Sequence, residues 1–272
     1  MIDPVAFSIG SLEIRWYGVI ISTALFLGTM LSIKEAKKQG IEEDFMYDLF
    51  IRVIPAAIIG ARLYYVLFSW AYFKNNLMEI LAFRSGGLAI HGGIIGGLVV
   101  AFYFIRKREQ SFVQLADITA PYIILGQAIG RWGNFINQEA HGGIVSREFI
   151  SVFPDFIEKQ MYIHGNYYHP TFLYESLLNF LVFLILISIR RKKFLKDGDL
   201  FLLYLIGYSL GRFVIEGMRT DSLMLGSFRI AQIVSLLLII SGVFIIYRGI
   251  RKEIRENKST SVRSLTFMLT VC

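Results

Sequence analysis

A single cysteine, Cys272, stands at the last position of the chain. One thiol cannot close an internal disulfide and cannot build a thiolate-rich metal site. Nor does Cys272 have the three following residues of a prenylation signal. Histidine is sparse as well. The four residues at 91, 141, 164 and 169 lack the spacing of a metal-ligand set. No GxxxxGK[ST] string is present to cradle a nucleotide phosphate. The residues therefore imply no metal and no cofactor. Charge is also low, with Asp, Glu, Lys and Arg making up 18% of the residues. What the chain has in abundance is apolar length: 55% of its residues are hydrophobic and the mean hydropathy is +0.55. Those values exclude an ordinary soluble domain and point to a polytopic membrane protein. Asp3, Glu13 and an apolar run leading straight into Lys34 predict no cleavable signal peptide.

Seven apolar runs long enough to cross a bilayer lie at about 16–33, 47–69, 87–105, 115–135, 171–189, 200–218 and 229–247. The fold class expected is an all-α polytopic membrane protein with seven transmembrane helices. Lysine and arginine then set its orientation. Seventeen follow the odd-numbered runs, as in Lys34, Lys37 and Lys38, Arg106, Lys107 and Arg108, or Arg190, Arg191 and Lys192, against seven on the other side. By the positive-inside rule the N-terminus is outside and the C-terminus cytoplasmic. The net charge of +7 marks a face against anionic membrane lipid, and needs no nucleic acid. Residues 1–250 read as one seven-span domain, and 251–272 as a cytoplasmic tail, Ser- and Thr-rich and expected to be disordered. The loop at about 138–170 is expected to form a small extracytoplasmic cap with short strands at 144–150 and 162–168. The outer segment at about 70–86, with Trp70, Tyr72 and Phe73, suits the membrane interface. The N-terminal segment, with Phe7, Ile9, Leu12 and Ile14, is expected to lie along that interface too.

The most informative stretch is Gly126-Gln-Ala-Ile-Gly130-Arg131-Trp-Gly133-Asn134-Phe-Ile-Asn137-Gln-Glu139-Ala-His141-Gly142. An ionisable group in an apolar span costs free energy and is by default functional. At about 100° per residue, Gln127, Arg131, Asn134 and Gln138 share one side of a helix. Gly126, Gly130 and Gly133 share the adjacent side, with Asn137 among them if the helix runs that far. One side presents donors; the other lets a second helix come close. A second constellation is Tyr208, Arg212, Glu216 and Arg219, within about an 80° sector. Arg212 and Glu216 can pair at i, i+4. Two arginines against one glutamate predict a positive surplus facing inward, which suits a phosphate bound by a planar fork. Glycines 86, 87, 92, 93, 96 and 97 around His91 form a packing zipper or a site. Arg15-Trp16-Tyr17-Gly18, Arg62-Leu-Tyr64-Tyr65 and His169-Pro170-Thr171 open or end spans, and there Glu175 stands just inside the membrane. All of these lie toward one leaflet.

These strings resemble the prolipoprotein diacylglyceryl transferases. The resemblance covers nearly all of the chain up to about residue 250, and its most specific part is Gly130–Gly142. It implies a seven-span enzyme of the bacterial cytoplasmic (inner) membrane, active toward the extracytoplasmic leaflet. The implied reaction moves diacylglyceryl from phosphatidylglycerol to the lipobox cysteine of a prolipoprotein signal peptide and releases glycerol phosphate. Carried onto this sequence, His91, Arg131 and Arg212 are the expected catalytic residues. Tyr17, Asn134, Asn137, Glu139, Gly142, Glu175, Tyr208, Glu216 and Arg219 are the expected substrate-binding residues. Taken without the resemblance, intramembrane arginines and glycine-broken helices also fit a transporter for an anionic solute or a lipid-binding scaffold. Clustering toward one leaflet, and the absence of a matching pair of interrupted helices in two halves, weigh against the transporter.

Overall fold

The computed structural model of the chain describes residues 2–82, 86–192 and 195–249. A β-hairpin, β1 (Val5–Ile9) and β2 (Leu12–Arg15), leads into α1 (Trp16–Lys38), α2 (Glu43–Phe68) and the short α3 (Trp70–Phe73). A 3-10 turn, Leu77–Leu81, precedes α4 (Ile90–Lys107) and α5 (Phe112–Ile136). A small insertion follows: β3 (Ile144–Val145), α6 (Arg147–Ile150), α7 (Asp155–Gln160), β4 (Tyr162–Ile163) and β5 (Asn166–Tyr168). The chain continues with α8 (Thr171–Ile189), α9 (Asp199–Glu216), the hairpin β6 (Met224–Leu225) and β7 (Phe228–Arg229), and α10 (Ile230–Gly249).

The protein is a mostly helical, multi-pass membrane protein. Six of the described helices, α1, α2, α4, α5, α8 and α10, are long and apolar enough to cross a membrane. Each falls on a run expected from the sequence. The seventh expected run is α9, which is 18 residues long but carries Asp199, Arg212 and Glu216. At 18 residues, α9 offers no stretch of spanning length that leaves any of these three groups out, whereas each of the other six has one with at most two charges.

The chain divides into two compact units, residues up to Gly28 together with those from Thr119 onward, and Thr29–Ile118. Helices α1 and α5 contribute to both. In the Thr29–Ile118 unit, α2 and α4 meet through residues with little or no side chain. A Cβ on Gly60 would stand 2.5 Å from the Gly92 carbonyl oxygen and 3.0 Å from the Gly96 Cα. One on Gly96 would stand 2.6 Å from the Ala56 oxygen. Backbones this close gain dispersion contacts that larger residues would forbid, the usual basis of helix association in lipid. Below this seam Ile33, Met46, Leu49, Phe104, Ile105 and Ile118 form a buried apolar core.

In the other unit, Ala120 and Ile124 of α5 bury against Leu186 of α8 and Leu200 and Tyr204 of α9. A second apolar cluster joins Phe135 and Phe172 to Ile150, Ile157 and Met161 of the insertion. Phe135 and Phe172 stack with ring centroids 4.3 Å apart. The cluster as a whole seats the insertion on the ends of α5 and α8.

The two strands expected in the insertion are corrected. The strand expected at 144–150 is a strand only at Ile144–Val145. Ser146 then accepts a bond from the Phe149 N–H at 3.3 Å and starts α6, an N-cap that overrides the β-branched pattern. The strand expected at 162–168 is split into β4 and β5 by a turn at His164 and Gly165, both at positive φ, to form a sheet of order β3-β5-β4. The N-terminal segment is a hairpin turning at Gly10 (φ +60), with Phe7 and Ile9 exposed. The tail 251–272, with Cys272, lies outside the described residues.

Candidate active site

The glycine side of α5 receives α1, the close approach expected from Gly126, Gly130 and Gly133. A Cβ on Gly133 would lie 2.7 Å from the Tyr17 ring, and one on Gly130 would lie 3.3 Å from Ile21 Cδ1. Tyr17 is thereby held against the helix that carries Arg131. On the adjacent side, Arg131 Nη1 donates to Asn134 Oδ1 at 3.3 Å, and Asn134 Nδ2 donates to Glu139 Oε1 at 2.8 Å.

Glu175, in the first turns of α8, is the centre of the cluster. Its Oε2 lies 2.7 Å from Arg131 Nη2. Its Oε1 lies 3.3 Å from Arg212 Nη1 and 3.8 Å from Arg219 Nη1. The Glu175 side chain is only 5% exposed. Arg212 Nη2 also meets Glu216 Oε2 at 2.5 Å, the pair expected one turn apart on α9. Arg219, past the end of α9, forms a fork with Asp221 through Nε at 2.9 Å and Nη2 at 2.7 Å. A backbone bridge ties Arg219 to Gly142. A Cβ on Gly142 would stand 2.6 Å from the His169 Cβ and 3.1 Å from the Met218 oxygen, so Gly142 serves close backbone approach. Arg229 donates to the Gly217 carbonyl at 2.6 Å and braces the same turn.

This network corrects the expected positive surplus. Arg131, Arg212 and Arg219 face Glu175, Glu216 and Asp221, three guanidiniums against three carboxylates. Unpaired guanidiniums in an apolar surrounding would pay a desolvation cost of several kcal/mol each. The carboxylates hold the forks together at far lower cost. Each guanidinium nonetheless carries five N–H donors, more than Arg131 directs at Glu175 and Asn134.

Residues 4–248 match the sequence model of the prolipoprotein diacylglyceryl transferases. The chain belongs to that family. It is 53% identical to the phosphatidylglycerol–prolipoprotein diacylglyceryl transferase of Clostridium botulinum (strain Loch Maree / Type A3), over 93% of this chain and 99% of that one. The namesake protein of Clostridium novyi (strain NT) is 55% identical over 95% of this chain and 98% of its own. That of Listeria monocytogenes serotype 4a (strain HCC23) is 54% identical over 92% and 91%.

Of the site residues expected for this transferase family member, the structure gathers Arg131, Asn134, Glu139, Glu175, Arg212, Glu216 and Arg219 into one network, with Gly142 on its backbone. Tyr17 joins by packing on Gly133. Tyr208 stacks on Tyr204, centroids 6.3 Å apart, one turn before Arg212. Asn137 falls just past the end of α5 and is exposed. Gln138 also leaves the helix, at φ +55, and donates to the Gln160 carbonyl at 2.6 Å rather than sharing a side with Arg131. Gln127 bonds the Tyr204 hydroxyl at 3.2 Å. His91 belongs to the other unit, exposed in the first turn of α4, its ring 6.1 Å from that of Tyr64.

Two residues of the site escaped the sequence reading. Asp221 follows Arg219 by two positions, and that spacing outside a helix carries no periodic signal. Arg229 is a lone basic residue before α10. The hydrogen bond from Arg219 holds the Asp221 carboxyl below its usual range. A lowered folded-state pKa contributes stability that is present above the unfolded value of about 3.9 and is lost as pH falls through the folded value. Asp221→Asn is therefore expected to lower the thermal midpoint at pH 7. The gap to the wild-type protein should close as the pH falls below about 4. A pH series of melting curves in detergent checks this; a gap that persists in acid would remove the ion pair as its cause. His169, in the loop before α8, is held below the usual imidazole range by burial.

Proposed function

We propose that this protein transfers the diacylglyceryl group of phosphatidylglycerol to the thiol of a lipobox cysteine in a prolipoprotein signal peptide, releasing glycerol phosphate. This is the first step of lipoprotein maturation in the bacterial cytoplasmic membrane. The observation that carries it is the convergence of Arg131, Arg212 and Arg219 on the buried Glu175. Glu175 holds three planar forks together, and the N–H donors it does not take can grip a phosphate diester in two-pronged fashion.

The reaction forms a bond from sulfur to the glyceryl carbon and breaks the bond from that carbon to the phosphate oxygen. The thiol has to shed its proton, since a free cysteine has a pKa of about 8.5 and only the thiolate attacks. His91 is the proposed acceptor of that proton. Negative charge grows on the departing phosphate ester. Guanidiniums fixed beforehand by carboxylates stabilise it without having to reorganise. Arg131 and Arg212 take that role. Glu175 and Glu216 orient them, and Asn134 and Glu139 lock the Arg131 fork. Tyr17, Asn137, Gly142, Tyr208 and Arg219 line the approach of the head group.

Residues 1–250 form the transferase domain in this reading, with α9 as the seventh span and 138–170 as the cap. The N-terminus is outside, the C-terminus cytoplasmic, and the site opens toward the extracytoplasmic leaflet. The distribution of lysine and arginine supports that orientation. The deciding experiment supplies purified protein with phosphatidylglycerol and a lipobox peptide. Peptide-dependent release of glycerol phosphate, with a diacylglyceryl mass gain on the cysteine, is expected. Folded protein that binds the lipid but releases nothing would leave a lipid-binding scaffold.

A further inference from the structure

Arg62 sits in the last third of α2, a helix otherwise apolar around it, and is only 4% exposed. Its guanidinium donates to a set of backbone carbonyls in the segment that leads to α4. Nε reaches the Ile80 oxygen at 3.0 Å and Nη2 the Glu79 oxygen at 2.5 Å. Nη1 reaches the Gly86 oxygen at 2.7 Å and the Gly87 oxygen at 3.1 Å. The same group lies 5.3 Å from the Phe73 ring centroid and 6.0 Å from that of Tyr65. It therefore ties the 3-10 turn and the glycine pair before α4 to one point on α2.

The neighbours of Arg62 continue this seating. The Ala61 carbonyl accepts the Ala89 N–H at 3.0 Å, at the residue that opens α4. Gly92 interlocks with Gly60 and with Tyr64. Gly87 takes φ +74, and a Cβ there would stand 2.6 Å from both Arg62 Nη1 and the Tyr65 ring, so glycine fits where another residue would push the clamp apart. Between the buried Gly92 and this clamp stands His91, exposed on the first turn of α4. Its direction is set by where α4 begins and how that turn is rolled. Arg62 holds the Gly86 and Gly87 carbonyls that lead into that turn, beside the Ala61–Ala89 bond and the Gly60–Gly92 contact.

We propose that Arg62 is a positioning residue for His91, acting through the carbonyls of Glu79, Ile80, Gly86 and Gly87 and the start of α4. Arginine is needed because a planar fork reaches carbonyls on two sides at once. A lysine presents its three donors from a single point. The proposal rests on the proton role of His91 in the transfer reaction, and its test separates the two. Rates are measured for the wild-type protein, Arg62→Lys, His91→Asn and the double variant, in phosphatidylglycerol nanodiscs with a lipobox peptide. His91→Asn is expected to lower kcat by roughly a hundredfold. Arg62→Lys is expected to lower kcat by roughly tenfold or more, since small misplacement of a reacting group is costly. KM for the lipid should change by less than about twofold, because phosphate binding is untouched. In the His91→Asn background, Arg62→Lys should then cost less than about twofold, the non-additivity of residues acting as one unit.

An equal loss in both backgrounds overturns the positioning role while leaving that of His91 intact. A normal rate in His91→Asn alone overturns the proton role and this proposal with it. Gly87→Ala, which presses on the same clamp from the opposite side, supplies a second cycle if Arg62→Lys accumulates poorly. The same pattern is expected of it.

Discussion

Arg131→Gln is expected to lower diacylglyceryl transfer by roughly 10²–10³-fold while leaving the protein folded in the membrane. Arg131 places one prong 2.7 Å from Glu175 and another 3.3 Å from Asn134, with a fifth of its side chain exposed. Removing the guanidinium takes a preorganised charge from the place where negative charge grows on the leaving phosphate. A glutamine amide still offers donors to Glu175 and Asn134, and Glu175 keeps Arg212 at 3.3 Å, so no carboxylate is stranded. Glycerol phosphate release and a melting curve, taken on the same preparation, check the two halves. A folded variant within threefold of the wild-type rate would take Arg131 out of the mechanism.

Glu175→Gln should act first on stability. The carboxylate is 5% exposed and joins guanidiniums carried by α5, by α9 and by the turn after it. Arg212 would keep Glu216 and Arg219 would keep Asp221, but Arg131 would lose its carboxylate partner. Removing one partner of a buried pair costs about 3–5 kcal/mol. At this size that is a drop in thermal midpoint on the order of 10 °C. The vacated place suits a phosphate, so phosphatidylglycerol should raise the midpoint of Glu175→Gln more than that of the wild-type protein. Transfer should also fall, because the arginines would no longer be held in register. A midpoint unchanged in neutral detergent would mean that Glu175 does not hold the forks. A midpoint that falls but does not respond to phosphatidylglycerol would locate the phosphate elsewhere.

Both predictions turn on how charge is distributed, where the sequence reading was least complete. Counting along α9 alone leaves Arg212 and Arg219 against Glu216. The balance changes because Glu175 arrives from α8, 37 residues before Arg212, and because Asp221 folds back after the helix ends. Neither contact has a periodic signature. Gln138 shows the opposite error: helical spacing assigned it to a face of α5, yet the helix stops at Ile136, short of Gln138 and of Asn137, whose place on the glycine side required a longer helix. His91 was legible as a chemically able residue in a glycine-rich turn. The seating supplied by Arg62 was not, since its partners are backbone carbonyls, which any sequence presents.

The long apolar runs, the glycine side of α5, the i, i+4 pair on α9 and the resemblance to the transferase family were all readable from the sequence by itself. Each is a local property, set by side-chain hydropathy and by a helical period that holds wherever the helix is placed. Tertiary structure alone decided that α1 fills the glycine side and that one buried carboxylate gathers three arginines. Those outcomes depend on which groups from distant parts of the chain are desolvated together. In an apolar surrounding a guanidinium and a carboxylate each cost several kcal/mol apart and little when paired. The pairing therefore follows the packing of the helices.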